Sequence, residues 1–168
     1  MGTTLSALAL AGATAYLAHV GDSRIYRLRG KQLTQLTADH SEVADLVRMR
    51  LVKPEMVAEH PSRNVLTRTV GHQLMLRPDF SREPAQPGDA FVMCTDGVWS
   101  EVAESELAEI VAAGEPEDAC RRVIDLCLDR QCDDNITVQV VRLLEVDHAS
   151  QHSHHRPTLL GGLFDRLR

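Results

Sequence analysis

Asp89-Ala-Phe-Val-Met-Cys-Thr-Asp-Gly-Val-Trp-Ser100 is the stretch that decides how this chain is read. Phe91 to Cys94 is a short unbroken apolar run, the pattern of a buried strand. It ends abruptly at Asp96-Gly97, where the chain must turn. A carboxylate at the exit of a buried strand is held rigidly while it faces solvent, which suits a hard-metal ligand. Gly97 lacks the Cβ that would block close approach of a ligand or of backbone. An Asp-Gly pair also marks an ordinary turn, so the rest of the chain has to decide between the two.

Upstream, Thr4–Leu10 and Thr14–Val20 form a hairpin pattern around a turn at Ala11-Gly12-Ala13. Gly21-Asp22-Ser23 breaks the pattern and Arg24–Leu28 resumes it. Arg29-Gly30-Lys31 then turns the chain into Gln32–Leu36. This is an antiparallel meander with one apolar and one polar face. Ser41 fits a helix cap, with Val43, Leu46, Val47 and Leu51 following at helical spacing, and Pro54 opens a short helix holding Met56 and Val57. Residues 41–63 therefore read as a helical insertion between strands. Val65–Val70 and Leu74–Phe80 are strand candidates separated by a turn at Gly71-His72, the second broken by Pro78; Glu83 to Asp89 is a loop.

Downstream, Glu104–Ala113 is a helix with Leu107, Ile110 and Val111 inward, stopped by Gly114. Pro116 opens the next helix at its preferred first position. Its apolar stripe is Cys120, Val123, Ile124 and Cys127, and the last strand is Ile136–Leu143. From Glu145 the chain turns polar, with His148, His152, His154 and His155, and closes on a short amphipathic segment, Thr158–Arg168. Residues 1–145 are thus read as one domain and 146–168 as a tail. The tail histidines fit a solvated linker better than a transition-metal site.

A chain of 168 residues suffices for one domain, and 43% hydrophobic with 25% charged residues describes a globular protein, neither disordered nor membrane-spanning. A net charge of -6 and the absence of a basic block argue against nucleic acid as a partner. Leu5–Val20 is apolar, but no Lys or Arg precedes it, and Met1-Gly2 to Ser6, which fits a myristoylation pattern, reads better as the approach to a strand. Cys94, Cys120, Cys127 and Cys132 contain no Cys-x-x-Cys pair and are read as reduced residues in or near the core, with Cys120 and Cys127 on one helix face; the expected compartment is cytoplasmic.

Asp22, Asp96 and Asp134 each sit where a strand meets a loop. In a sandwich of antiparallel sheets such ends gather at one rim. Three carboxylates at one rim repel each other unless cations hold them. Oxygen ligands without His or Cys select Mg²⁺ or Mn²⁺, and water bound to such an ion becomes a nucleophile near neutral pH. The chemistry expected is hydrolysis of a phosphate ester by water, with no phosphoenzyme. Taken singly, each Asp equally fits a turn. His19 and His40 lie near strand ends with no evident nucleophile and are read as structural.

Gly2-Thr-Thr4, Gly21-Asp-Ser-Arg24, Leu36 to Ser41, Arg63 to Arg68 with Gly71, Cys94-Thr-Asp-Gly-Val98 and Asp134-Asn-Ile-Thr-Val138 occur in one order. Between Gly2 and about Leu144 that series resembles the bacterial PPM-type (type 2C) metal-dependent protein serine/threonine phosphatases. The resemblance implies an α+β fold, an antiparallel β-sandwich flanked by helices, with 41–63 as a flap beside the active site. It implies Asp96 and Asp134 as ligands of a Mn²⁺ or Mg²⁺ centre, Asp22 sharing a further metal with Asp96, and Gly97 and Asn135 in support. Asp39 and Arg63 match residues of a more structural kind. The implied substrate is a phosphorylated protein, in partnership with a serine/threonine kinase, with no membrane involvement.

The family's domain begins well before its Gly-Thr-Thr. This chain is therefore expected to correspond to the C-terminal two-thirds of such a domain, N-terminally truncated. It lacks the family's phosphate-binding Arg and the Asp that bridges two metals, so no catalytic residue is assigned beyond a water nucleophile. Poor metal binding by the isolated chain, exposed apolar surface, and either self-association or a complementing N-terminal segment follow as expectations. The alternative function is a catalytically inactive module that binds a phosphoprotein or another partner.

Overall fold

The computed structural model describes residues 2–57, 60–71 and 75–146. The tail histidines, the segment 158–168, His72 and Leu74 lie outside the described residues.

Strands β1 (Leu5–Ala11) and β2 (Thr14–Val20) form the hairpin, with Leu8 opposite Leu17. Strand β3 (Arg24–Arg29) turns into β4 (Gln32–Gln35). Ser41 caps helix α1 (Glu42–Arg48), its Oγ accepting from Ala44 N–H, and a single 3₁₀ turn follows at Pro54–Met56. Strand β5 (Asp79–Pro84) precedes β6 (Ala90–Cys94), short helix α2 (Asp96–Trp99), helices α3 (Glu104–Ala113) and α4 (Pro116–Asp129), and strand β7 (Val138–Arg142).

All strand pairings are antiparallel, in two sheets ordered β1-β2-β5 and β4-β3-β6-β7. Between the sheets Ala15 and Leu17 meet Ile25, Ala85 and Phe91. On the opposite face of the larger sheet Tyr26, Leu28, Ala90, Val92 and Cys94 pack against Leu107, Ile110, Val111, Ala119, Val123 and Cys127 of the two long helices. Strand β6 is therefore covered on both sides, which is why its sequence is apolar at every position rather than alternating. Arg27 of β3 reaches Glu83 of β5 at 3.2 Å, tying one sheet to the other. The smaller sheet has no helix on its outer face among the described residues, and Leu5 stands 57% exposed there.

Four sequence expectations change. Val65–Val70 is not a strand: it makes only isolated bridges, Leu66 to Ser41 and Val70 to Thr3, because no continuous partner runs beside it. The strand expected over Leu74–Phe80 starts after Pro78, which has no N–H for a ladder, and runs through the expected loop to Pro84. The last strand is shorter than Ile136–Leu143. On α4 the buried face is Ala119, Val123 and Cys127, whereas Ile124 is 36% exposed and Cys120 half-buried. Helix α4 packs over the edge strand β7, where Cys120 meets the Val140 backbone while Ile124 stays partly open to solvent.

Candidate metal centre

Asp96 does not sit in a plain turn. It is the first residue of α2, immediately after β6, with Thr95 as the extended cap residue. Gly97 is buried against the loop that leads into β7: a Cβ there would lie 2.6 Å from the Asn135 carbonyl oxygen and 3.5 Å from the Asp134 Cβ. The missing side chain is what lets the Asp134 loop come up beside Asp96. Thr95 locks the arrangement. Its N–H donates to the Thr137 carbonyl, and its Oγ donates to the Asn135 carbonyl and accepts from Thr137 N–H, each at 3.1 Å. One oxygen of each carboxylate accepts from the next backbone N–H, Gly97 to Asp96 at 3.1 Å and Asn135 to Asp134 at 2.7 Å. Both carboxylates are thus steadied by backbone N–H groups and by no side-chain donor among the hydrogen bonds of the described residues.

Asp22 approaches from the turn between β2 and β3. Gly21 takes a φ of 112° there, and a Cβ would meet Thr4 Cγ2 at 2.3 Å. Buried His40 clamps this turn: its Nδ1 accepts from Gly21 N–H at 3.1 Å, and its own backbone N–H donates to the Gly21 carbonyl at 2.8 Å. With Nδ1 accepting, His40 Nε2–H donates to Asp79 at 3.1 Å. His19 packs against His40 at 4.8 Å, and burial holds it below the usual imidazole pKa. Both histidines shape the turn and touch no candidate ligand. From the other side, Trp99 Nε1–H donates to the Asp22 carbonyl at 2.9 Å, joining this turn to α2.

Burial and the charge of Asp96 push the Asp22 carboxyl up to about 6. Burial and the charge of Asp134 raise Asp96 in turn. The Asp22 turn and the Asp134 loop are both joined to the segment that carries Asp96, one through Trp99 and the other through Gly97. Among the described residues no Lys or Arg forms an ion pair with any of the three. Arg24 is occupied elsewhere: its fork holds Asp39 at 2.7 Å and its face lies 3.8 Å from the Trp99 ring centre. Crowded carboxylates with no countercharge suit a hard cation. The three do not close into one cage, since no group of three His, Cys, Asp or Glu among the described residues has metal-holding geometry. Pairs of carboxylates suffice for Mg²⁺-like ions, which retain several waters.

Sequence reasoning missed Trp99, Thr95 and the clamping role of His40. Trp99 was legible in part, since it lies one helical turn after Asp96 and so shares its face. Thr95 and His40 act through long-range hydrogen bonds that no local pattern announces. A cavity of about 400 Å³ between the sheets, lined by Leu17, His19, Leu36 and Phe80 among others, includes none of the three carboxylates.

A profile of the protein phosphatase 2C family matches residues 1–136. Protein phosphatase PhpP of Streptococcus pneumoniae is 36% identical over 148 residues, covering 88% of this chain and 60% of PhpP. Serine/threonine protein phosphatase PstP of Mycobacterium tuberculosis is 34% identical over 164 residues, 97% of this chain and 31% of PstP. The PstP/Ppp crystal structure superposes with a TM-score of 0.81 at 35% identity, covering 88% of this chain and 61% of that one. A PstP catalytic domain in complex with two manganese ions gives 0.74 at 34% identity, covering 84% of this chain and 60% of that one. The chain spans about 60% of the length of PhpP and less of PstP. With a family profile matching most of its length, and with the two antiparallel sheets and helices of its structural neighbours, this chain belongs to the protein phosphatase 2C family.

Proposed function

We propose that this chain serves the metal-dependent hydrolysis of phosphoserine and phosphothreonine in proteins, with Asp96 and Asp134 as one ligand pair and Asp22 and Asp96 as a second. The observation that carries the proposal is the Gly97 contact, which brings the Asp134 loop against the strand end that holds Asp96. The net reaction adds water across the phosphorus–oxygen bond and gives inorganic phosphate and the free side-chain hydroxyl.

A Mn²⁺ or Mg²⁺ ion held there supplies Lewis acidity toward phosphoryl oxygen and a water of lowered pKa. The chain's own residues provide position. Thr95 and Gly97 fix the distance between the two loops, and Asn135 supports Asp134 through the backbone hydrogen bond to its carboxylate. Trp99 holds the Asp22 turn to α2. Asp39 pairs with Arg24, so that guanidinium forms no ion pair with the three carboxylates and leaves them for cations. Residues 41–63, which follow His40 in the chain, are the proposed flap that meets the phosphoprotein. A kinase that phosphorylates the same substrates, a cytoplasmic setting and self-association or a complementing N-terminal segment belong to the same proposal. Residues 1–145 form its catalytic unit and 146–168 its tail.

The test is phosphate release from a phosphothreonine peptide in Mn²⁺ by the native protein, with Asp96→Ala as control. Release that Asp96→Ala abolishes supports the proposal. Retention of the peptide without turnover, undiminished in Asp134→Ala, would instead establish a binding module.

A further inference from the structure

Helix α4 ends in an arrangement that phosphate hydrolysis does not use. Arg130 is its C-cap, and Gln131 takes a left-handed φ of 59°. Gln131 N–H donates to the Leu128 carbonyl at 2.9 Å and Cys132 N–H to the Cys127 carbonyl at 3.1 Å. Those two bonds define a Schellman end, in which the residue after the left-handed one folds back onto the third-last helical residue, the positions whose side chains commonly meet in this motif. Here both positions are cysteines. Cys127 is fully buried in the helix–sheet core, while Cys132 is half-buried against the same cluster. The Cys132 thiol also donates to the Gly97 carbonyl at 3.3 Å and lies 3.8 Å from the Asp134 carbonyl. A single sulfur therefore touches the backbone on both sides of the Asp96–Asp134 pair.

We propose that Cys127 and Cys132 form an oxidisable dithiol, closed to a disulfide by an oxidant of the hydroperoxide class. Cys132 is the one open to solvent and reacts first. Its sulfur attacks the terminal peroxide oxygen, the O–O bond breaks, and hydrogen peroxide leaves one oxygen on sulfur as a sulfenic acid and departs as water. Cys127 sulfur then attacks Cys132 sulfur. The S–O bond breaks, and the departing hydroxide takes the Cys127 proton as a second water. Two thiols give up two electrons, and one peroxide becomes two waters. Cys120 does not compete, because it lies seven residues before Cys127 on α4 and away from the helix end.

Closure removes the S–H donor from the Gly97 and Asp134 carbonyls, so residues 133–135 reseat and the Asp134 carboxylate moves relative to Asp96. This consequence rests on the metal reading above; the dithiol itself does not.

The full chain, reduced and then treated with hydrogen peroxide, is alkylated in denaturant and digested with trypsin without reduction. Cleavage after Arg122, Arg130 and Arg142 places Cys127 in peptide 123–130 and Cys132 in peptide 131–142. The expected product is those two peptides joined and released by dithiothreitol, in wild type and in Cys120→Ser, and absent in Cys132→Ser. Cys127 recovered alkylated while Cys132 is overoxidised or unmodified overturns the proposal. So does Cys132 linked to Cys94, to Cys120 or to a second chain. The wild-type map needs no variant to fold. Calorimetry with Mn²⁺ then reads the consequence: about tenfold weaker binding in the oxidised form, restored on reduction. A bridge with unchanged Mn²⁺ affinity refutes the coupling, and no Mn²⁺ binding in either form refutes the metal reading while the bridge stands.

Discussion

Two glycines fix the centre for different reasons. Gly21 combines a positive φ with a Thr4 side chain where its Cβ would be. Gly21→Ala is expected to cost about 2–3 kcal/mol in urea unfolding, from backbone strain and overpacking together. Gly97 has helical backbone, and a Cβ there would meet the Asn135 carbonyl first and the Asp134 Cβ beyond it. Gly97→Ala should push the Asp134 loop outward: Mn²⁺ affinity measured by calorimetry falls about tenfold, with a stability loss of only ~1–2 kcal/mol. A carboxylate away from the centre contributes to acid behaviour. Burial alone would raise Asp89, yet the Arg29 fork at 2.7 Å and the Gln86 N–H hold it below the usual range. A depressed pKa contributes stability above the unfolded-state value, and that contribution is lost as pH falls through the folded value. Asp89→Asn should therefore cost ~1–2 kcal/mol at pH 7, kept modest by solvent at Arg29, and less at acid pH below the folded value. An equal loss at both pH values in urea melts would show that charge is not the cause.

Among the elements, α4 separates what periodicity predicts from what packing selects. An apolar stripe over Cys120, Val123, Ile124 and Cys127 spans a wider arc than the sheet beneath it covers. Val123 is fully buried, while Ile124 is 36% exposed. Val123→Ala is expected to lower stability by about 2 kcal/mol and Ile124→Ala by roughly 0.5–1 kcal/mol, read as shifts in urea midpoint at constant slope. Comparable losses would place the buried face where the stripe alone puts it. β5 gives the opposite lesson. Its residues Asp79–Pro84 carry little apolar character, and it is a strand because β2 offers a paired edge from His19 to Thr14.

Across the whole molecule, the β4-β3-β6-β7 sheet is common to both cores, with the β1-β2-β5 sheet on one face and α3 and α4 on the other. Loss of either layer exposes β6, so local opening is expected to stop short of that strand. In native-state hydrogen exchange the Phe91 and Val92 amides should be the slowest, exchanging only with global unfolding. The 3₁₀ turn Pro54–Met56 and the irregular residues 60–64 should exchange much faster. A faster β6 than β2 would mean that the two layers unfold independently.

What the sequence determined by itself was whatever local chemistry fixes. The apolar run at Phe91–Cys94 had to be a buried strand, Ser41 a cap, Gly114 a stop and Pro116 a start, and Asp22 and Asp96 had to lie beside strand ends; Asp134, expected at the strand entry, lies in the loop before β7 because that strand begins only at Val138. The family resemblance was also legible, because its motifs are short and ordered along the chain. What only the tertiary structure decided was which of these ends meet. The Asp134 loop and the Asp22 turn are both joined to the segment that carries Asp96 because Gly97 lets one approach and Trp99 tethers the other, through contacts 38 and 77 residues apart in the chain. Cys132 is brought back onto the Cys127 carbonyl because a left-handed Gln131 folds the chain, a relation that helical spacing does not predict. Such contacts depend on backbone direction and on packing between distant segments, and neither is written in the spacing of residue types.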